Sequence, residues 1–436
     1  MASPSGLAVL RGAGPVTAPV ALPLSLTPSE LAAWLRLAAT PGVPARALDA
    51  LLATEHAIET LFELPQAALA AIVGTAAARA LLAPAPPALA HRIERTRTWL
   101  ETPGHTLLTR RDPRYPPRLR ELHDAPAVLY LRGQIACLHA PAIAVVGSRM
   151  ATPQGLADAS WFAQQLAQAG FTIVSGLARG IDGAAHLGAR ACRGHTVAVL
   201  GTGADRIYPA CHRQLGEEIA ADGTLLTEWP LGTPARASHF PQRNRLIAGL
   251  AQGVLVVEAA LRSGSLITAR LANEMGREVF AVPGSIHAPL SHGCHALIRD
   301  GAKLVETIDD ILEEFGLVAV PTVVQDRADR AKEAASSPKH PGNAASGRRS
   351  LALPALIGTT APPATLSPDA QRLIEALGHA PLPLDLLDSR TGLGPARLHA
   401  LLLELELNGR IAALPGGRFA RIEQRDGPPG TSGTGP

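Results

Sequence analysis

The chain changes rhythm along its length. Between residues 28 and 83 apolar positions recur at helical spacing, opening with Pro28-Ser-Glu-Leu-Ala-Ala-Trp-Leu-Arg-Leu and broken at Pro41-Gly42 and Gly74. This predicts a module of short helices, with a longer one over 88–100 after the Pro86-Pro87 break. From residue 142 the pattern becomes short unbroken apolar runs at 143–146, 171–175, 196–200, 224–227, 254–257 and 279–282, with a brief last one at 303–305. Helical stretches fall between most of them. Thr152-Pro153 supplies a cap and a first-turn proline for one that runs to about residue 169. Continuous apolar strands alternating with helices predict an α/β domain with a doubly wound, mostly parallel sheet covered on both faces. From residue 366 helical spacing returns in three pieces, and a hairpin pattern over 411–422 follows. That order predicts a winged helix.

The expected boundaries follow. Residues 1–27 form a disordered leader, 28–104 the helical module, 105–141 a connector holding one strand, and 142–316 the sheet domain. Residues 317–365, rich in Ser, Pro and Gly, form a flexible linker, 366–422 the winged helix, and 423–436 a disordered tail. The helical module carries no catalytic constellation and reads as a packing or dimer accessory.

In a doubly wound sheet, ligands bind beyond the carboxyl ends of the strands. Here those exits are Gly147-Ser148-Arg149, Ser175-Gly176, Gly201-Thr-Gly203, Glu228, Glu258 and Pro283-Gly284. The stretch Ser175-Gly-Leu-Ala-Arg-Gly-Ile-Asp-Gly-Ala-Ala-His186 reads as a tight loop opening a helix, with Asp182 as its N-cap. Free N–H groups at a helix start and the charge of Arg179 favour a phosphate or another anion. As a bare pattern it is equally a connecting turn.

Two further segments carry candidate chemistry. In His239-Phe-Pro-Gln-Arg-Asn-Arg245, Arg243 and Arg245 flank Asn244 at a helix start just after Phe240. Phe240 can stack on a base while an arginine holds phosphate. The alternative packs Phe240 in the core and ties the arginines into ion pairs. Arg262-Ser-Gly264-Ser265 opens another helix with small hydroxyl residues suited to an anion.

Composition narrows the field. A length of 436 residues suits two or three domains. Although 47% of residues are hydrophobic, no apolar run is long enough to span a bilayer, and residues 1–26 lack the basic start of a secretory signal. Four scattered cysteines without C-x-x-C spacing argue against a zinc site and suit a reducing cytoplasm. The net charge of +3 proves no nucleic-acid partner, and 3% aromatic residues rule against a long stacking platform. No Walker element is present. Gly201-Thr-Gly203 lacks the third glycine of a dinucleotide fingerprint, since Arg206 stands there. No cofactor or metal is expected. Asp182, Glu228 and Glu258 lie near strand exits, where they are able to serve a nucleotide-processing hydrolase or simply to cap helices and orient arginines.

The motifs Val146-Gly-Ser-Arg149, Ser175-Gly-Leu-Ala-Arg-Gly-Ile-Asp182, Gly201-Thr-Gly203 with Tyr208-Pro209, His239-Phe-Pro-Gln-Arg-Asn-Arg245, Arg262-Ser-Gly-Ser-Leu-Ile-Thr268 and Gly301-Ala-Lys303 occur in one order across the central domain. In this the chain resembles the bacterial DNA-processing protein A (DprA/Smf) family. The resemblance implies a Rossmann-like core that binds single-stranded DNA, a SAM-like helical module, homodimers, and loading of the RecA recombinase during natural transformation, with no catalytic turnover. It implies DNA contacts for Arg149 and Phe240. A family lysine three residues before that phenylalanine is replaced by Ala237, with Arg236 beside it as substitute. The expected DNA-binding set is Ser148, Arg149, Ser175, Gly176, Arg179, Arg236, His239, Phe240, Arg243, Asn244, Arg245, Arg262, Gly264 and Ser265.

Overall fold

The computed structural model describes residues 26–40, 42–54, 57–317, 367–378, 381–414 and 417–422. The expected leader, linker and tail lie outside the described residues, apart from their margins at 26–27 and 317.

The N-terminal module contains α1 (Pro28–Ala39), α2 (Ala45–Leu52), α3 (Gln66–Val73), α4 (Thr75–Leu82) and α5 (Leu89–Leu100). Thr27 and Glu30 close a capping box at the start of α1, satisfying two otherwise unpaired N–H groups. Trp34, Leu35, Leu51, Leu61 and Leu81 form its core, which continues onto Leu107, Val128 and Tyr130 of the neighbouring sheet. The module is thereby seated on one edge of the central domain.

That sheet has nine strands: β1 (His105–Thr109), β2 (Val128–Gly133), β3 (Ala142–Val146), β4 (Thr172–Ser175), β5 (Thr196–Val199), β6 (Thr224–Thr227), β7 (Gly253–Val256), β8 (Glu278–Ala281) and β9 (Lys303–Leu304). Their order is β1-β2-β6-β5-β4-β3-β7-β8-β9. Pairings from β6 across to β9 are parallel, while β1 on β2 and β2 on β6 are antiparallel. The segment read as a connector, 105–141, therefore builds two strands into the sheet, with the short helix α6 (Pro117–Arg120) between them. In β1 only Leu107 and Leu108 are apolar, so it shows little hydrophobic signal. Backbone pairing with β2 makes it a strand.

Alternation along β3 explains the two-sided core. Ala144 and Val146 pack with Leu246, Ile247 and Leu250 of α10 (His239–Leu250) and Ala269 of α11 (Gly264–Glu274). Ile143 and Val145 point the other way, onto Phe162 and Leu166 of α7 (Pro153–Gln168) and Ile181 and Ala185 of α8 (Ile181–Ala191). Each fully buried Phe or Leu contributes about 1.5–3 kcal/mol from water exclusion. The strand order reverses between β3, whose chain continues to β4, and β7. A crevice forms at such a point beyond the strand ends.

The last unit holds the helices Pro368–Leu377, Leu384–Thr391 and Pro395–Leu407. Strands β10 (Leu382–Pro383), β11 (Ile411–Leu414) and β12 (Arg418–Arg421) form an antiparallel sheet in the order β10-β12-β11. Ser367 caps the first helix and Gly392, in the left-handed region, ends the second. This is the expected winged helix with one strand more. Arg397 pairs with Asp369, and Glu404 and Glu406 are exposed on the last helix. That helix face suits a protein contact better than a phosphate backbone.

Candidate nucleic-acid interface

The loop 176–180 leaves β4 and turns into α8. Gly180 has φ +76°, and a Cβ there would stand 2.1 Å from the Ser148 carbonyl oxygen. The close approach locks the β3 exit against the β4 exit, and the Ile181 N–H donates to that same oxygen at 3.1 Å. Asp182 does not cap α8 from outside. The helix starts at Ile181 with Gly180 as N-cap, and the Asp182 carboxylate reaches back to accept from the Gly176 and Ala178 N–H groups at 3.1 and 3.4 Å. Burial raises the Asp182 carboxyl above its ordinary range, opposed by Arg243 and by those N–H groups.

Leu177 sits at φ +57°, in the left-handed region that a bulky residue rarely adopts. Its N–H donates to His186 Nε2 at 3.3 Å, so His186 carries its proton on Nδ1 and donates to Thr196 Oγ1 at 2.7 Å. Thr196 Oγ1 in turn donates to the Ile173 carbonyl oxygen at 2.8 Å. Burial, helped by the neighbouring His212 and Arg243, pulls the His186 imidazole down to about 3. The unfolded imidazole titrates near 6.5, so between these values the unfolded chain binds the extra proton. His186 therefore contributes stability in full above about pH 6.5, and this is lost as pH falls, at about 1.4 kcal/mol per unit. Urea unfolding of the parent and of His186→Gln from pH 7.5 to 5.5 checks this. The two stabilities are expected to converge by roughly that slope as pH falls, and parallel curves would contradict it. The variant comparison is needed because Asp182, Glu228 and Glu258, all raised by burial, bias stability in the opposite direction.

Arg243 is the other anchor. Its guanidinium donates to the Gly176 and Val199 carbonyl oxygens at 2.6 and 2.5 Å and to Asn244 Oδ1 at 2.9 Å. It also lies 3.9 Å from Asp182. A Cβ on Gly176 would sit 2.0 Å from this guanidinium, so the glycine makes room for it. Burial lowers Arg243 to about 10, which still leaves it charged at neutral pH.

Several expected DNA contacts are thus internal supports. α10 begins at His239, which puts Arg243, Asn244 and Arg245 one turn inside the helix, facing protein. Asn244 holds the Gly264 carbonyl oxygen at 3.2 Å, and Arg245 pairs with Glu228 and Asp124. Ser175 is buried and donates to the Val145 carbonyl oxygen. His239 is buried, stacked on Trp229 at 3.8 Å and held by the Gly201 carbonyl oxygen. Ser148 is buried under the turn that carries Arg149, accepting from the Met150 N–H at 3.1 Å.

Arg149, Gly176, Arg179 and Phe240 do converge. With Ala178, Tyr208, Pro209 and Ala210 they line an open cleft of about 380 Å³. Phe240 is half-buried on its floor. The Arg149 guanidinium lies 5.2 Å above the Phe240 ring, and the Tyr208 ring stands 5.6 Å from it. A Cβ on Gly201 would touch Phe240 at 3.2 Å, so that glycine lets the ring in beneath. Arg262, Gly264 and Ser265 open α11 outside this cleft; Ser263 caps that helix and bonds Ser265 Oγ at 2.6 Å. Arg236 is exposed in the loop before α10.

Arg95, Arg110, Arg114, Arg132, Arg190, Arg245 and Arg277 are matched by carboxylates. Arg149, Arg179, Arg206, Arg213, Arg236 and Arg262 are exposed and make no ion pair among the described residues. The candidate hydrolytic carboxylates are all engaged. Asp182 serves the loop, Glu228 holds Arg245, and Glu258 accepts from the Thr152 N–H at 2.9 Å and from its hydroxyl at 2.5 Å. None of the three lines the cleft. Among the described residues no helix is long and apolar enough to cross a membrane, and no cluster of three His, Cys, Asp or Glu could hold a metal.

Sequence reasoning assigned no site role to Tyr208, Arg206 or Arg213. Arg213 lies four residues before Glu217 in α9 (Arg213–Asp222), the spacing of a helical ion pair. Glu217 instead bonds Arg132 of β2 at 2.5 Å, which leaves Arg213 open. Only the fold discloses that exchange.

Residues 106–316 match the family model described as DNA recombination-mediator protein A, and residues 358–417 match that of the DprA winged helix domain. The chain is 42% identical over 335 residues to protein Smf of Escherichia coli strain K12, spanning 76% of this chain and 81% of that protein. It is 49% identical over 201 residues to the DNA processing protein DprA of Streptococcus pneumoniae, which covers 46% of this chain and 71% of that protein. The X-ray structure of DprA from Streptococcus pneumoniae superposes with a TM-score of 0.56 at 38% identity, covering 67% of this chain and 99% of that one.

Proposed function

Given that the chain belongs to the DNA recombination-mediator protein A (DprA/Smf) family, we propose that it is a cytoplasmic, homodimeric protein that binds single-stranded DNA, protects incoming strands and loads RecA onto them during natural transformation. One observation carries the reading: uncompensated Arg149 and Arg179 meet the half-exposed rings of Phe240 and Tyr208 in one cleft at the carboxyl edge of the sheet. Arginines without carboxylate partners attract phosphate, and ring faces accept bases of any identity. In a duplex the base faces are covered by stacking, so a floor made of Phe240 favours an unpaired strand. Backbone N–H groups and arginines carry no base information, so sequence preference is weak. Arg236 stands in for the lysine that Ala237 replaces. The chemistry asked of the site is binding alone. Loading of the strand is a matter of holding it and passing it on.

The experiment is RecA-dependent ATP hydrolysis on single-stranded DNA with substoichiometric amounts of this protein. The lag before steady hydrolysis is expected to shorten with the parent and to stay long with Arg149→Ala. A lag indifferent to both proteins would remove RecA loading from the reading while leaving strand binding to be judged by affinity.

A further inference from the structure

A second cleft, of about 340 Å³, adjoins the first at Tyr208. Tyr208 lines both, with half of its surface exposed. The second cleft is also lined by Arg206, Arg213, Asp205, Glu217 and Pro234. Its formal charges look balanced, but the pairing does not follow the lining. Asp205 is held by Arg95 at 2.5 Å and by the Gly232 N–H at 2.7 Å. Glu217 is held by Arg132 at 2.5 Å. Both carboxylates are satisfied from outside the cleft. Arg206 and Arg213 make no ion pair among the described residues and are left as its uncompensated charges.

We propose that this cleft is a second subsite for the same single strand, in which Arg206 and Arg213 take phosphates and Tyr208, shared with the first cleft, takes a base or ribose. The strand then runs from the Arg149–Phe240 cleft over the Tyr208 ridge. The proposal rests on the strand-binding reading of the first cleft. It explains why neutralisation by Arg95 and Arg132 is arranged where it is: without them, Asp205 and Glu217 would repel the phosphates or capture the two arginines.

The test measures affinity of the full chain for thymidine oligomers of about 4 and about 16 nucleotides across a salt series. The Arg206→Ala/Arg213→Ala double variant is compared with Arg149→Ala. Two lost phosphate contacts to a single strand lower the slope of log affinity against log salt by about 1.4. The double variant is expected to show that change and a several-fold loss with the long oligomer, while binding the short one as the parent does. The Arg206→Lys/Arg213→Lys pair is expected to restore the slope, since lysine also holds phosphate. Both side chains are exposed and unpaired, so an unchanged melting curve accompanies these results. An unaltered slope in the double variant, with both oligomers lost in Arg149→Ala, would overturn the second subsite alone. Binding of both oligomers unchanged in Arg149→Ala would overturn the reading of the first cleft, and this proposal with it.

Discussion

Replacing Arg149 with alanine is expected to lower affinity for single-stranded DNA by roughly 10- to 100-fold, the scale of a lost hydrogen bond to a charged group. The fold is expected to be untouched. Arg149 is exposed, makes no ion pair with a carboxylate among the described residues, and lies over the face of Phe240. Its removal deletes a phosphate contact and also the cation that rests on the ring. Phe240→Ala is expected to lose about 1–3 kcal/mol of stacking per base, with less change in salt dependence than Arg149→Ala. The two variants therefore separate by the slope of affinity against salt, measured on one oligonucleotide. Equal slopes in parent and Arg149→Ala would mean that Arg149 touches no phosphate.

Arg243→Met has the larger structural effect. It leaves Asp182 buried without its cation and strips donors from the Gly176 and Val199 carbonyl oxygens. Breaking a buried pair from one side costs about 3–5 kcal/mol. Because Arg243 joins the β4 exit, the β5 end and the floor under Phe240, strand binding is expected to fall along with stability. Arg243→Lys is expected to rescue little, as one ammonium cannot span the two carbonyl oxygens and Asn244 as the planar fork does. The double variant Arg243→Met/Asp182→Asn is expected to recover part of the loss, because the uncompensated carboxylate is gone. Chemical denaturation of the parent and these three variants checks the order. An Arg243→Met protein as stable as the parent would show that the pair holds nothing.

Much of the fold was legible because its cause is local. The runs at 143–146, 196–200 and 224–227 are strands buried on both faces, and Thr152-Pro153 does cap α7, with Thr152 Oγ1 accepting from the Gly155 N–H at 3.0 Å. The winged helix followed from three helical pieces and a hairpin pattern, and Ser367 and Gly392 do bound two of those helices. What stayed hidden depends on distant partners. β1 is a strand through its pairing with β2. The segment 239–245 is polar in sequence, yet it is the inside of a helix, because Asp182, Glu228, Asp124 and two carbonyl oxygens wait there for its arginines. The candidate site was legible at Arg149, Arg179 and Phe240, where the chain leaves a strand or enters a helix at the sheet's edge. Arg206 and Arg213 were hidden because charge matters only after pairing, and pairing is decided by which carboxylates the fold brings near.

The most direct measurement is fluorescence anisotropy of a labelled oligonucleotide, single- and double-stranded, at two salt concentrations, with the parent and Arg149→Ala. The account predicts preference for the single strand, weakening steeply with salt and largely lost in the variant. Equal, weak binding to both strands that ignores the substitution would contradict it.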